Sequence, residues 1–163
     1  MGTAAVLLSD TKQDEGVRYV AYPDMGGKFT ICSGTTDGVK AGDTATDEEC
    51  DARTAADLTK AARIVLHVSP RMKAPERHNQ LRALIRFQNN TSKYPVSSAA
   101  KLMNVGLYKQ GCDALLAYNG IISAKPIKGA VSVRRLKDGR YFNVIRGLNN
   151  RRAAEHAVCV VGL

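Results

Sequence analysis

The chain has 163 residues, 44% of them hydrophobic and 24% charged, which fits one globular domain with a real core and excludes a fibrous or disordered protein. Its net charge of +9 indicates an anionic partner such as nucleic acid, a membrane surface or a bacterial envelope. The absence of Trp and an aromatic content of 6% argue against a single-strand nucleic-acid binder, because such proteins stack bases on aromatic rings. We therefore expect no nucleic-acid partner, and we expect a monomer.

The N-terminal segment predicts a helix over residues 3–15 that ends at Gly16, since glycine adopts the positive φ found just past a helix end. Its apolar run from Ala4 to Leu8 is far shorter than the roughly 20 residues that cross a bilayer. We interpret this run as the end of a trimmed export or anchor sequence, and the alternative is that it is simply the first turns of the helix.

Short strands and tight turns are predicted for residues 18–36, where β-branched and aromatic residues alternate with Pro and Gly. Thr46 followed by Glu49 is typical of a capping box, so a long helix should run from about Asp47 to His67.

Mainly helical structure is predicted for the remainder of the chain. Residues 75–90 show the helical spacing of apolar side chains, Ser97 or Ser98 can cap a short helix, and residues 107–119 form another. Residues 120–146 are interrupted by Pro and Gly and rich in Arg and Lys, which predicts a loop or excursion, with Asp138 and Gly139 at the turn of a hairpin. A final helix should run from about Asn149 to Val160.

Four cysteines occur without a Cys-x-x-Cys pair, so the usual spacings of zinc sites and thioredoxin-like redox sites are missing. Two disulfides in an exported protein are the interpretation we favour, and four buried thiols are the alternative. Three connectivities are open and the sequence alone does not choose among them. Of the three we expect Cys32–Cys50 with Cys112–Cys159.

A candidate site lies in the run DEGVRYVAYPDMGGKFT, which places Glu15 at a helix end, Asp24 in a turn and Thr30 on a strand. Two carboxylates are the usual equipment for cleaving a glycosidic bond, with one acting as general acid and the other on water or on the sugar. The helix dipole should raise the pKa of Glu15, as a general acid requires. The alternatives are that the two acids are solvated surface charges and that Thr30 is an ordinary strand residue.

The same run, extended through ICSGTT, resembles the N-terminal signature of phage-type lysozymes, the endolysins of glycoside hydrolase family 24. In that family Asp-Glu-Gly ends the first helix, Tyr-x-Asp precedes the turn and Thr-x-x-x-Gly-x-Thr follows. The resemblance implies that Glu15, Asp24 and Thr30 are catalytic. The resemblance extends over most of residues 14–119 and 147–160.

Three further residues match functional positions of the family. Phe87 and Gln88 match positions that line the substrate, and Arg151 matches the arginine that pairs with the catalytic glutamate. Such a pair would lower the pKa of Glu15 and oppose the helix-end effect. The alternatives are that Phe87 is a core residue, that Gln88 is exposed, and that Arg151 and Arg152 are a solvated charge pair.

The chain departs from the family pattern at two places near the site. Cys32 and Thr35 stand where many members have glycine and histidine, and Phe87-Gln88-Asn89-Asn90 replaces the common Phe-Asn-x-Gly. Cysteine-containing variants are familiar among exported endolysins, so catalysis should be preserved. Because Cys32 lies two residues after Thr30, a disulfide there could set the catalytic geometry.

The resemblance implies an α+β, lysozyme-like single domain with residues 1–46 as a small lobe, 47–67 as a connecting helix and 68–163 as a helical lobe. It implies hydrolysis of the β-1,4 bond between N-acetylmuramic acid and N-acetylglucosamine in peptidoglycan, after export to the host periplasm or release at lysis. Attraction to the anionic envelope would use the positive charge. We expect no cofactor and no metal, since His67, His78 and His156 lack ligand spacing. A non-catalytic basic module that binds the cell wall or nucleic acid is the alternative.

Overall fold

The computed structural model describes residues 7–9, 11, 16–24 and 27–163, and the chain divides into two compact units, residues 1–64 and 65–163. Leu7 to Ser9 and Thr11 are helical, within the helix predicted for residues 3–15, and the other residues of that helix lie outside the described ones. Gly16 has a φ of +68°, as expected for a residue just past a helix end.

A two-stranded antiparallel sheet forms the centre of the first unit, as the alternation of residues 18–36 predicts. Strand β1 runs over Arg18–Pro23 and strand β2 over Phe29–Cys32, with Tyr22 opposite Thr30. The buried residues Ile31, Cys32 and Cys50 form a small core, against which partly buried apolar residues pack. The hairpin is therefore fixed to the start of the helix that carries Cys50.

Helix α1, Asp47–Val68, begins at the predicted capping box. The hydroxyl of Thr46 accepts a bond from the backbone N–H of Glu49 at 3.2 Å, and the Glu49 carboxylate accepts one from the N–H of Thr46 at 2.8 Å. These reciprocal bonds satisfy two N–H groups at the helix start. The prediction of a long helix from about Asp47 to His67 is confirmed.

Removal of this cap should lower the stability of the protein. Thr46→Ala is expected to reduce the free energy of unfolding by about 1 kcal/mol, because the N–H of Glu49 loses its acceptor. Thr59→Ala is the matched control, since the Thr59 hydroxyl only donates to the Ala55 carbonyl within the same helix. Urea denaturation monitored by circular dichroism measures both, and equal midpoints for the two variants would contradict the prediction.

The second unit is mainly helical. Two short 3₁₀ segments, Pro70–Lys73 and Pro75–Arg77, separate α1 from the next helix, and each begins with a proline, which is tolerated in the first turn of a helix. The helices that follow are α2 (His78–Thr91), α3 (Ser98–Asn104), α4 (Tyr108–Leu115) and α5 (Arg146–Cys159). Of the two predicted candidates Ser97 and Ser98, Ser97 caps α3, because its hydroxyl accepts the N–H of Ala100 at 3.1 Å. Helix α5 begins three residues before the predicted start.

Residues 120–146 fold into a three-stranded antiparallel sheet in the order β3-β5-β4, with β3 at Gly120–Ser123, β4 at Ser132–Arg135 and β5 at Tyr141–Val144. The predicted hairpin is β4–β5, and Gly139 in its turn has a φ of +85°. The third strand, β3, was not predicted. Its four residues pair with residues of β5 that lie about twenty positions later in the chain. A pattern of neighbouring residues does not reveal such a pairing.

The predicted α+β class is confirmed, since helices coexist with two small antiparallel sheets. Among the residues that the structure describes, no helix is both long enough and apolar enough to cross a membrane.

Candidate active site

The β1–β2 turn holds Asp24 in a defined position. The N–H of Asp24 donates to the carbonyl of Lys28 at 2.9 Å, and the N–H of Lys28 donates to Oδ1 of Asp24 at 2.9 Å. The N–H of Gly27 closes the turn on the Asp24 carbonyl, also at 2.9 Å. The carboxylate is exposed. One of its oxygens is thus fixed by the backbone while the residue remains accessible to solvent.

Thr30 lies in β2, close in the hairpin to the turn that holds Asp24. Tyr22 is the cross-strand partner of Thr30, and Asp24 is two residues beyond Tyr22, just past the end of β1. Thr30 is 4% exposed, and its Oγ1 donates to the Lys28 carbonyl at 3.2 Å. Lys28 therefore orients both residues through its backbone.

Glu15, the third residue of the predicted site, lies outside the residues that the structure describes. Gly16, directly after it, has the positive φ that the sequence predicts for the position beyond a helix end. The structure thus places Asp24 and Thr30 in one hairpin, and the catalytic roles of Glu15, Asp24 and Thr30 stay predictions.

Both expected disulfides are present. Cys32 is bonded to Cys50 and Cys112 to Cys159. Cys32 has a φ of +57°, in the left-handed region that glycine adopts freely, and glycine is the residue that the family pattern has here. The disulfide joins the end of β2 to the first turn of α1. It therefore ties down the strand that carries Thr30, two residues away.

The second disulfide joins α4 to α5 beside a polar contact between the same helices. His156 Nε2 lies 2.8 Å from Asp113 Oδ1, and Lys109 Nζ lies 3.0 Å from Asp113 Oδ2. His156 and Lys109 hold the pKa of the Asp113 carboxyl below its ordinary value. Within the described part of the chain, no three His, Cys, Asp or Glu side chains converge as a metal site requires.

Phe87 and Gln88 lie on α2, and each contacts a tyrosine outside that helix. Phe87 is fully buried and meets Tyr118 edge to face at 4.9 Å between ring centroids. Gln88 is 5% exposed, and its Oε1 accepts the N–H of Tyr94 at 3.0 Å. Phe87 is therefore a core residue, the alternative of an exposed Gln88 is wrong, and contact of either residue with substrate stays a prediction.

The two arginines at the start of α5 differ sharply in environment. Arg151 is partly buried, whereas Arg152 is fully buried and its guanidinium donates to Glu155 Oε1 at 2.6 Å and to Asn90 Oδ1 at 2.9 Å. The guanidinium also lies 5.0 Å from the centroid of the Phe87 ring. Burial lowers the pKa of Arg152, and Glu155 opposes that effect.

The interpretation of Arg151 and Arg152 as a solvated pair is thus wrong for Arg152. The i, i+3 spacing of Arg152 and Glu155 was the signal that could have indicated an ion pair, but spacing does not reveal burial. The buried group fastens α5 to α2, and it thereby fixes the helix turn that carries Arg151.

Comparison of the amino-acid sequence with known families gives a match to phage lysozyme over residues 12–155, most of the chain. The SAR-endolysin of Pseudomonas phage phiKMV is 37% identical over 157 residues, which cover 96% of this chain and 87% of that protein. The SAR-endolysin of Enterobacteria phage P21 is 29% identical over 140 residues, 82% of each chain.

Comparison of the structure with solved structures agrees with the match to phage lysozyme. The endolysin from Escherichia coli O157:H7 phage FAHEc1 has a TM-score of 0.76 and 26% identity, and the match covers 100% of this chain and 96% of that one. The muramidase domain of SpmX from Asticaccaulis excentricus also has a TM-score of 0.76, at 22% identity over 96% of this chain and 95% of that one, a likeness of fold.

The fold and the family are those of lysozyme-like glycoside hydrolases. The chain belongs to the phage lysozyme family, and it is an endolysin with muramidase activity on peptidoglycan. The alternative of a non-catalytic basic module is set aside on this ground.

Proposed function

We propose that Glu15, Asp24 and Thr30 are the catalytic residues with which this muramidase hydrolyses the β-1,4 bond between N-acetylmuramic acid and N-acetylglucosamine. The observation that carries the proposal is the hairpin that follows Glu15 in the sequence, in which backbone groups of Lys28 bond to the side chains of both Asp24 and Thr30. A carboxylate and a hydroxyl held in one short hairpin can share a water molecule between them.

The hydrogen bonds of the hairpin define what each side chain can do to that water. The Thr30 hydroxyl donates its proton to the Lys28 carbonyl, which leaves its oxygen lone pairs as acceptors. The Asp24 carboxylate is an acceptor as well. A water that donates one proton to each would point its own lone pair at the sugar, and Asp24 would receive the proton as general base or stabilise the developing oxocarbenium charge.

Glu15 has the complementary role of general acid. In its protonated form it would donate to the oxygen of the leaving sugar, which must accept a proton as the bond breaks. We further propose that Arg151 pairs with Glu15. The match of Arg151 to the arginine that pairs with the catalytic glutamate in the family supports this assignment. Phe87 and Gln88 are proposed to shape the substrate-lining part of α2.

Thr30 offers a sharp test because its hydroxyl can be removed at constant shape. Thr30→Val should lower kcat by about 10- to 100-fold with little change in KM, since a water acceptor is lost. Thr30→Ser, which keeps the hydroxyl, should retain most of the activity. Release of reducing sugar from purified peptidoglycan measures both rates. Similar rates for Thr30→Val and Thr30→Ser would remove the hydroxyl from the mechanism.

The proposed setting is the periplasm of a Gram-negative host, reached by export or at lysis. Two disulfides support an oxidising compartment, because such bonds persist there and are rare in the cytosol. The net charge of +9 supports attraction to the anionic envelope, and the protein is proposed to act as a monomer.

A further inference from the structure

Positive charge is concentrated in the sheet formed by residues 120–146. This stretch holds seven basic residues and one acidic residue, a net +6 of the +9 carried by the whole chain. The single acid, Asp138, is engaged by Arg140, whose Nε and guanidinium nitrogen donate to Oδ2 at 2.9 and 2.7 Å. The remaining cations are thus left to produce a strongly positive local field.

The sheet presents one of its edges to solvent. Among the described residues, strand β4 pairs only with β5, and all four residues of β4 are exposed. We call residues 131–140, which comprise β4 and the turn after it, the basic edge. Nine of its ten residues are exposed, and Leu136 is partly buried. Arg135 and Lys137 flank an open cavity of about 350 Å³ that Leu136 and Gly139 complete.

The basic edge combines cations with exposed aliphatic side chains. Val131 is 56% exposed and Val133 is 44% exposed, beside Arg134, Arg135 and Lys137. The guanidinium carbon of Arg134 lies 5.8 Å from the centroid of the Phe142 ring, and the residue is exposed, so its charge lies at the surface. The cations by themselves indicate only that the partner is anionic. The exposed valines indicate that it also offers an apolar environment, because moving their side chains out of water is favourable.

Strand β5, at the centre of this sheet, has no fully exposed residue. Asn143, at the centre of β5, is fully buried, and its Oδ1 accepts the N–H of Ile127 from the connection that crosses the sheet. Tyr141 and Phe142 are only partly exposed. The aromatic platform on which single-stranded nucleic acids stack is therefore poorly provided here.

We propose that the basic edge docks on an anionic phospholipid bilayer. Arg134, Arg135 and Lys137 bind lipid phosphates, and guanidinium groups suit these because they donate two parallel hydrogen bonds. Val131 and Val133 enter the interfacial region between headgroups and acyl chains. The enzyme would thereby be held at the membrane surface, in reach of the peptidoglycan beside it.

The test measures sedimentation of the full chain with vesicles at low salt. Native protein should bind vesicles of equal parts phosphatidylglycerol and phosphatidylcholine, and it should not bind vesicles of phosphatidylcholine alone. The triple variant Arg134→Gln, Arg135→Gln, Lys137→Gln should bind the anionic vesicles on the order of 100-fold more weakly, since each cation near such a surface contributes about 1 kcal/mol.

A matched triple variant separates the basic edge from net charge. Lys73→Gln, Lys93→Gln and Lys101→Gln remove three exposed cations elsewhere in the same unit, and binding should remain within a few fold of native. Equal losses in the two triple variants would overturn the proposal in favour of a diffuse charge effect. Unchanged binding by the basic-edge variant would overturn it as well.

Two further arms distinguish a bilayer from other polyanions. Val131→Ser with Val133→Ser should weaken vesicle binding roughly tenfold, because the aliphatic contribution is lost; no change would overturn the bilayer as partner. Binding of native protein to purified sacculi or to single-stranded DNA, but not to vesicles, would also overturn it. All variants should hydrolyse soluble peptidoglycan fragments at the native rate, so the result is independent of the catalytic assignment.

Discussion

Asp24→Asn is expected to lower kcat for peptidoglycan hydrolysis by about 10²- to 10⁴-fold, the range usual for loss of a general acid or base. An asparagine keeps an amide oxygen that can accept the N–H of Lys28, so the turn should be preserved. The lost property is the negative charge, which would no longer take a proton from water or stabilise the oxocarbenium ion. Turbidity loss of permeabilised Gram-negative cells and release of reducing sugar both measure the effect.

Asp43→Asn is the matched control for this experiment. Asp43 also accepts a backbone N–H in a turn, because the N–H of Lys40 donates to its Oδ2 at 2.9 Å, and its own N–H donates back to the Lys40 carbonyl at 3.2 Å. The control should retain native kcat. Activity of Asp24→Asn within threefold of Asp43→Asn would refute the assignment. Glu15→Gln should likewise abolish lysis with folding nearly unchanged.

Removing one partner of the buried Arg152–Glu155 pair is expected to lower the free energy of unfolding more than removing the Thr46 cap does. Arg152→Met should lower the free energy of unfolding by about 3–5 kcal/mol, because the buried Glu155 carboxylate would lose the charge-assisted bond from Arg152. Both side chains are fully buried, so solvent does not screen the loss. Chemical denaturation monitored by circular dichroism gives the value.

A double-mutant cycle tests whether the pair is the cause. Arg152→Met with Glu155→Leu should recover part of the loss, since two apolar side chains replace two charges in the same space. The exposed Lys109–Asp113 pair provides the control, and Lys109→Met should cost no more than about 0.5 kcal/mol. A loss for Arg152→Met as small as that of Lys109→Met would show that the buried pair contributes little.

Local sequence patterns were sufficient for most elements. The Thr46–Glu49 capping box, the Ser97 cap and the turn at Gly139 were predicted because each depends on residues close in the chain. The disulfide pairing was also predicted correctly, although the spacing of four cysteines leaves three connectivities open.

Elements that depend on distant contacts were missed or misplaced. Strand β3 has only four residues, and it is a strand because β5 lies beside it. The burial of Arg152 was missed for a similar reason. Its partner Asn90 is 62 residues away, and charged residues are seldom fully buried unless they are paired.

The sequence by itself determined the family, the spacing of Glu15, Asp24 and Thr30, and the helices and turns around them, because capping, periodicity and glycine conformation act over a few residues. Only the tertiary structure decided that Lys28 backbone groups bond to the side chains of Asp24 and Thr30, that Phe87 and Arg152 are buried together, and that the cations of residues 131–140 lie along an open sheet edge. Strand register, burial and exposed edges arise from pairing and packing between segments far apart in the chain.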